Sequence, residues 1–362
     1  MVGVVPLTAF EALGSKAAVS YVFFGGALIT LAFTLNIGWL EARIQRRWVL
    51  SLGAVMLVCA AGLFAVVDGP FFAVAVGLRS GAASIFSVCM SLYVMDFIGK
   101  REFTSSESTR LLYAGLAWLL GPSIGVWLFD HGYPDVPFML SAVASTGMLV
   151  YFWRLRIHRH PVLLGPVTTV THPFHNIVRF FGQRSLRIAY AITTTRAMFW
   201  AALFIYGPIY VIEADLPAWV AGSFLSAASA MLFLSPLVGR LADRVGTRQV
   251  IIASLLLIAV SMSGLAAIGS PRPAGLAFWM LGAVGGAALD VVGNIPFMRM
   301  VKPRERTAMT TVFSTWREAS FVLTPLVAAI ALALGDFRIL YLTLAVVVTG
   351  GAAAASFLPR RL

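Results

Sequence analysis

Gly239-Arg240-Leu241-Ala242-Asp243-Arg244-Val245-Gly246-Thr247-Arg248 lies between two apolar runs, and Gly38-Trp39-Leu40-Glu41-Ala42-Arg43-Ile44-Gln45-Arg46-Arg47 lies between two others, 201 positions earlier. Both stretches open on glycine, keep leucine at the third place and close on arginine. Further along, Arg101-Glu102 is echoed by Arg304-Glu305 and Pro122 by Pro325, each pair 203 positions apart. The second half of the chain repeats the first.

Outward from these turns the chain is too apolar for water. Of its 362 residues 59% are hydrophobic and 12% charged, about half the charged share of a soluble domain. The surplus apolar surface has to face lipid. A helix needs about 20 apolar residues to cross the hydrocarbon. Eleven such runs are legible: Ala17–Ile37, Trp48–Val67, Phe71–Phe97, Leu111–Phe129, Phe138–Trp153, Ile188–Ile212, Ala218–Val238, Val250–Ile268, Ala274–Met298, Thr307–Leu334 and Ile339–Phe357. An apolar stub, Val2–Phe10, precedes them. Nine helical residues cover only about 14 Å, and the repeat aligns the stub with the outer end of Ile188–Ile212. The expectation is a first helix whose inner part is missing, hence about 11.5 transmembrane helices.

The net charge of +12 sits in the connections. Numbering the stub as helix 1, the loops after even-numbered helices and the C-terminal tail hold 21 of the 27 basic residues; the opposite loops hold Lys16, Arg272 and Arg338. That asymmetry places the central linker and the C-terminus on the cytoplasmic side. It leaves no basic face for nucleic acid. Arg154–Arg187 reads as a linker between an N-terminal bundle (1–153) and a C-terminal bundle (188–362). Within it Phe174–Phe181 is expected to form a short interfacial helix, with Phe174, Ile177, Val178 and Phe181 on one side. The linker histidines 158, 160, 172 and 175 lack an acid or cysteine to complete a metal site. Cys59 and Cys89, inside apolar runs, read as small core residues. No cofactor is implied.

On these residues the chain resembles the major facilitator superfamily. The family signature in the loop joining the second and third helices of each half is Gly-x-Leu-Ala-Asp-Arg-x-Gly-x-Arg, and Gly239, Asp243, Arg244, Gly246 and Arg248 match it. In the first copy Ala42 stands where Asp is expected and Gln45 where Gly is; Glu41 or Asp96 can supply the missing carboxylate. The resemblance implies two six-helix bundles related by a pseudo-twofold axis, in an all-α integral membrane protein. It also implies a gating latch at the signature, where Asp243 accepts from a helix N-terminus or a neighbouring arginine. Gly121, Pro122 and Gly125 resemble the family's antiporter element, in which proline kinks the helix and glycine permits close packing.

Five ionisable residues interrupt the apolar runs: Arg79, Arg196, Asp290, Arg317 and Glu318. Each costs about 2.5–3.5 kcal/mol at a helix centre, so each needs a partner or a watery cavity. Asp290 or Glu318 can bind and release a proton, or either can be locked in an ion pair with Arg196. The excess of arginine over acid predicts an anionic group on the substrate. Phe199, Trp200, Phe204, Tyr206, Trp279 and Trp316 are candidates for an apolar binding wall, with Tyr206 and Trp279 alternatively lipid-interface anchors. The function expected is secondary transport of a small organic solute in a bacterial inner membrane by a monomer: proton-coupled efflux, with a uniporter, an importer or a non-transporting sensor or assembly factor as alternatives. A membrane-embedded enzyme is not expected, because no histidine has a catalytic partner.

Overall fold

A computed structural model describes residues 5, 16–66, 72–131, 133, 135–155, 173–320, 322–324, 327 and 337–359. Most of the stub Val2–Phe10 and three linker histidines (158, 160 and 172) lie outside them. Among the described residues every regular element is a helix. Eight helical stretches among the described residues are long and apolar enough to cross a membrane: Arg43–Ala65, Phe72–Phe97, Val136–Arg154, Arg184–Gly207, Gly222–Val245, Thr247–Ile268, Gly275–Met300 and Phe337–Ala355. The chain is an all-α integral membrane protein.

Its contacts divide it into two compact units. The first comprises Met1–Phe97, Leu120–Arg179 and Lys302–Thr315. Its principal element, α1 (Lys16–Val66), is two helices meeting at a kink at Gln45, where φ is 63° and ψ 149°; the expected spans Ala17–Ile37 and Trp48–Val67 fall on either side of it. α2 (Phe72–Phe97), the distal part of α3 (Phe103–Asp130) and α4 (Val136–Arg154) follow. Phe64, Phe72 and Phe138 form an aromatic core, with ring centroids 4.9 and 5.2 Å apart. Cys89 is buried as expected; Cys59 is exposed, because its position on α1 faces away from that core. The interfacial helix exists as α5 (Pro173–Gly182). Phe174, Val178 and Phe181 are exposed on it, while Asn176 and Phe180 turn inward.

The second unit comprises Ile98–Leu119, Phe180–Val301 and Trp316–Leu362. Its helices are the start of α3, then α6 (Arg184–Glu213), α7 (Ala218–Ala230), α8 (Ser235–Val245), α9 (Thr247–Ile268), α10 (Gly275–Val292), α11 (Ile295–Met300) and α13 (Phe337–Ala355); α12 (Arg306–Phe313) belongs to the first unit. Trp279, Tyr210, Tyr341 and Phe199 are fully buried at its centre. Tyr206 packs into the same core, so neither Tyr206 nor Trp279 is an interface anchor.

Two runs read as continuous are interrupted at proline. Proline has no N–H to give the carbonyl one turn back, and its ring crowds that carbonyl. A 3-10 turn, Met231–Leu234, therefore precedes Pro236. Likewise α10 ends at Val292 and α11 restarts at Ile295, with Pro296 in its first turn. The second interruption begins two residues after Asp290. A third, at Ser314 and Thr315, separates α12 from the helical residues 316–320, which carry Trp316, Arg317 and Glu318.

Candidate functional site

The broken helix α10–α11 builds the centre of the second unit. Arg196, on α6, is buried, with its Nε 3.3 Å from Asp290 Oδ1. Its Nη1 donates to the Leu289 carbonyl at 3.2 Å. One turn earlier on α6, the Thr193 hydroxyl, which donates to the Ala189 carbonyl at 2.9 Å, also lies 3.3 Å from the Gly293 carbonyl. The Leu289 carbonyl also accepts from the Gly293 N–H at 2.7 Å, so α6 adds a second donor there rather than the first. Of the two pairings left open for Arg196, the one with Asp290 is present.

Trp316 caps this pair. Its ring lies 4.7 Å from the Arg196 guanidinium carbon and 5.1 Å from that of Arg317, so one indole faces two cations. Arg317 is exposed. Glu318, its neighbour, is half-buried; its Oε2 is buried without a hydrogen-bond partner, and it has no ion pair among the described residues. Arg110, Arg196 and Arg317 together set the positive field at Asp290.

Arg110 was read as a loop charge. The window Leu111–Phe129 cut away the polar start of α3, which begins at Phe103. On that start Arg110 Nη2 contacts Glu107 Oε2 at 2.5 Å, and Glu107 is buried. The signal available was the acid–base spacing of three residues, one helical turn. Arg79, on α2 in the first unit, is half-buried with Nε lacking a hydrogen-bond partner. Gly121, Pro122 and Gly125 lie within α3.

The two signature turns fold alike. At the first, Arg46 joins two carboxylates. Its Nε contacts Glu41, and its Nη1 reaches Asp96 Oδ2 at 2.6 Å. Asp96 Oδ1 also accepts from Arg306 Nη1 at 2.7 Å. Both Glu41 and Asp96 thus stand in for the absent signature acid. Burial pushes the Glu41 carboxyl, between the two crossings of α1, above the ordinary carboxylate range, and the Arg46 guanidinium pulls against it. Gly38 packs beside the methyls of Thr307 and Thr311 on α12; a Cβ there would lie 3.4 and 3.6 Å from them.

At the second turn Gly239, on α8, packs against Ser108, and Ser235 Oγ donates to the Ser108 carbonyl at 3.1 Å. Lys100 Nζ donates to the Arg299 carbonyl at 2.8 Å, and Arg299 Nε donates back to the Lys100 carbonyl at 3.1 Å. Arg248 donates to the Ser356 carbonyl. Asp243 and Arg244 are exposed. Asp243 makes neither of its expected contacts among the described residues; its charge acts on Arg299 through space.

With this geometry in view, the comparisons with known proteins fall on one family. The family model described as Major Facilitator Superfamily matches residues 1–233 and 225–361. Curated relatives are multidrug resistance proteins MdtG. That of Klebsiella pneumoniae (strain 342) is 26% identical over 67% of this chain and 60% of its own length. That of Dickeya zeae (strain Ech586) is 26% identical over 64% and 57%. The chain thus spans about 60% of these relatives' length. Among solved structures, a bacterial homologue of the iron transporter ferroportin, in an outward-facing state, superposes with a TM-score of 0.78 at 16% identity, over 98% of this chain and 93% of the other. A single-residue variant of the E. coli fucose:proton symporter FucP superposes with a TM-score of 0.68 at 15% identity, over 99% and 96%. Both share the fold.

Proposed function

Because the chain belongs to the Major Facilitator Superfamily, we propose that it is a secondary active transporter of a small organic solute. In this reading the bundles 1–153 and 188–362, joined by the linker 154–187, give access to each side in turn. The direction is efflux, driven by proton entry. The MdtG relatives, multidrug resistance proteins by name, support efflux. The distribution of basic residues supports a cytoplasmic C-terminus in a bacterial inner membrane. It works as a monomer and as a carrier, not an enzyme.

The observation that carries the reading is the Arg196–Asp290 pair, 3.3 Å apart at an interrupted helix. A carboxylate held by one guanidinium, within the field of two more, has two ways to change state. A proton on Asp290 releases Arg196, and an anionic group on the solute then takes the carboxylate's place at the guanidinium. Trp316 and Trp200 offer flat apolar surface beside it. Arg196 and Arg317 thus meet the solute, Asp290 carries the proton, and Glu318 in the same unit and Arg79 in the first unit are further intramembrane candidates for binding solute or proton. Gly239, Asp243, Arg244, Gly246 and Arg248 act as the cytoplasmic gate, and Gly121, Pro122 and Gly125 let α3 flex.

The test is flux in proteoliposomes under an imposed pH gradient, read with anionic and cationic fluorescent dyes. The wild type is expected to concentrate an anionic dye only with the gradient. Asp290→Asn is expected to lower gradient-driven flux at least about tenfold while leaving solute exchange without a gradient. Gradient-driven flux at the wild-type rate in Asp290→Asn would overturn the assignment of the proton to Asp290. Wild-type flux that ignores the gradient would replace the antiporter by a uniporter.

A further inference from the structure

Below the Gln45 break, the second crossing of α1 presents an open groove of about 690 Å³ in the first unit. Its upper rim carries Arg43 and Arg47, its wall Trp48 and Ser51, and its floor Leu52 and Val55. Positions 48, 52 and 55 recur at helical spacing, so below the break the groove follows one face of α1, while Arg43 and Ile44 line it from the other side of the Gln45 kink. From Arg47 to Val55 the helix descends about 12 Å. Charge therefore lies at one end and apolar surface at the other, along the direction of an acyl chain entering the bilayer.

The guanidiniums are uncommitted to acids. The nearby carboxylates, Glu41 and Asp96, are taken by Arg46 and Arg306. Arg43 and Arg47 make no ion pair among the described residues, and Arg47 Nε is buried without a hydrogen-bond partner. Their flat faces are held instead by rings. Arg43 lies 4.1 Å over Trp39, and Arg47 5.8 Å over Trp48. Trp48 is fixed against Trp153, centroids 5.2 Å apart, and Trp153 Nε1 donates to Ser51 Oγ at 3.1 Å. The edges of two guanidiniums are left free, a geometry that suits phosphate oxygens. Trp48, Leu52 and Val55 are exposed below them.

We propose that this groove binds one anionic glycerophospholipid, its phosphate between Arg43 and Arg47 and the start of an acyl chain along Trp48, Leu52 and Val55. The lipid holds the outer side of the first signature turn, whose inner side is held by Arg46. The proposal is independent of the transport reading.

The test uses the full chain in detergent with equal amounts of dioleoyl-phosphatidylglycerol and dioleoyl-phosphatidylcholine. Native mass spectrometry scores the retained lipid, and thermal unfolding is measured with each lipid or with inorganic phosphate. Phosphatidylglycerol is expected to be preferred about tenfold and to raise the unfolding midpoint, with phosphate alone doing neither. Arg43→Gln with Arg47→Gln removes the preference, and Arg184→Gln with Arg187→Gln, an equal loss of charge, keeps it. Val55→Phe fills the floor and lowers retention with both guanidiniums intact. Equal retention of the two lipids by the wild type overturns the proposal, as does a preference that survives the first double variant or is lost equally in the second. Unchanged retention in Val55→Phe, or a midpoint raised as far by inorganic phosphate, does so too.

Discussion

At Gly246 the backbone turns with φ 99° and ψ 140°; at Gln45, 201 positions earlier, it turns with φ 63° and ψ 149°. The same corner is thus made once by a residue with no Cβ and once by one that has it. Glycine reaches this region freely, whereas a side chain there costs of order 1–3 kcal/mol. The anchoring differs in the opposite sense. The second turn, nearly complete against the signature, is held by packing on Ser108 and by the hydrogen bond from Arg248 to the Ser356 carbonyl. The first, which lacks the signature's Asp and Gly, is held by the ion cluster of Glu41, Arg46, Asp96 and Arg306. The strained corner carries the denser electrostatic anchoring. The lesson is that a motif read by identity alone misjudges which copy is better fastened.

The largest effect that separates the turns comes from removing a carboxylate. Asp96 serves two arginines, and all three side chains are mostly shielded from solvent. Asp96→Asn leaves two guanidiniums with one acid between them and is expected to cost about 3 kcal/mol. Asp243→Asn at the exposed counterpart should stay within about 0.5 kcal/mol. Thermal unfolding in detergent measures both, and equal losses would break the comparison.

Much of this was legible before any coordinates. The repeat, the apolar spans and the short helix at Phe174–Phe181 follow from spacing and hydropathy, which the bilayer enforces more strictly than water does. Arg196 and Asp290 stood out because each is costly alone. What stayed hidden depended on geometry beyond the run. Asp96 is readable as a stand-in for the signature acid, but that it meets Arg46, 50 residues away, alongside Glu41 and Arg306 shows only once α1 and α2 are packed. Glu107 and Arg110 were lost because hydropathy ends a span where polarity begins, although the helix does not end there. The gap between α10 and α11 was announced by Pro296, yet the apolar run continues across it. The conformation at Gln45 was readable from its alignment with Gly246, since a signature glycine signals a backbone need that its replacement inherits.

The corner itself gives the next contrast. Gly246→Ala places a Cβ at φ 99° and should lower stability by about 2 kcal/mol. Gln45→Gly removes the strain at φ 63° and returns part of the gain as chain entropy in the unfolded state, for a net rise of about 1 kcal/mol. Opposite signs in the two halves are the expected outcome. A loss in Gln45→Gly would show that the glutamine side chain contributes more than its backbone costs.

The smallest effect tests the packing of the opening glycines. A Cβ on Gly239 would stand 2.9 Å from Ser108 Oγ and 3.0 Å from Ser108 Cβ. The hydroxyl can rotate, but the Cβ moves only with α3, so Gly239→Ala should cost about 1 kcal/mol. At Gly38 the same Cβ would stand 3.4 and 3.6 Å from two threonine methyls, ordinary contact distances. Gly38→Ala also gains helix propensity, so its effect should fall within about 0.5 kcal/mol of zero. The close fit at Gly239 and the ion cluster at Asp96 are then alternative fastenings. Ser108→Gly removes the obstructing Cβ and, measured against Ser108→Gly alone, should rescue most of the Gly239→Ala loss while leaving the Asp96→Asn loss untouched. Rescue of both by one change would mean that the two turns are not fastened independently.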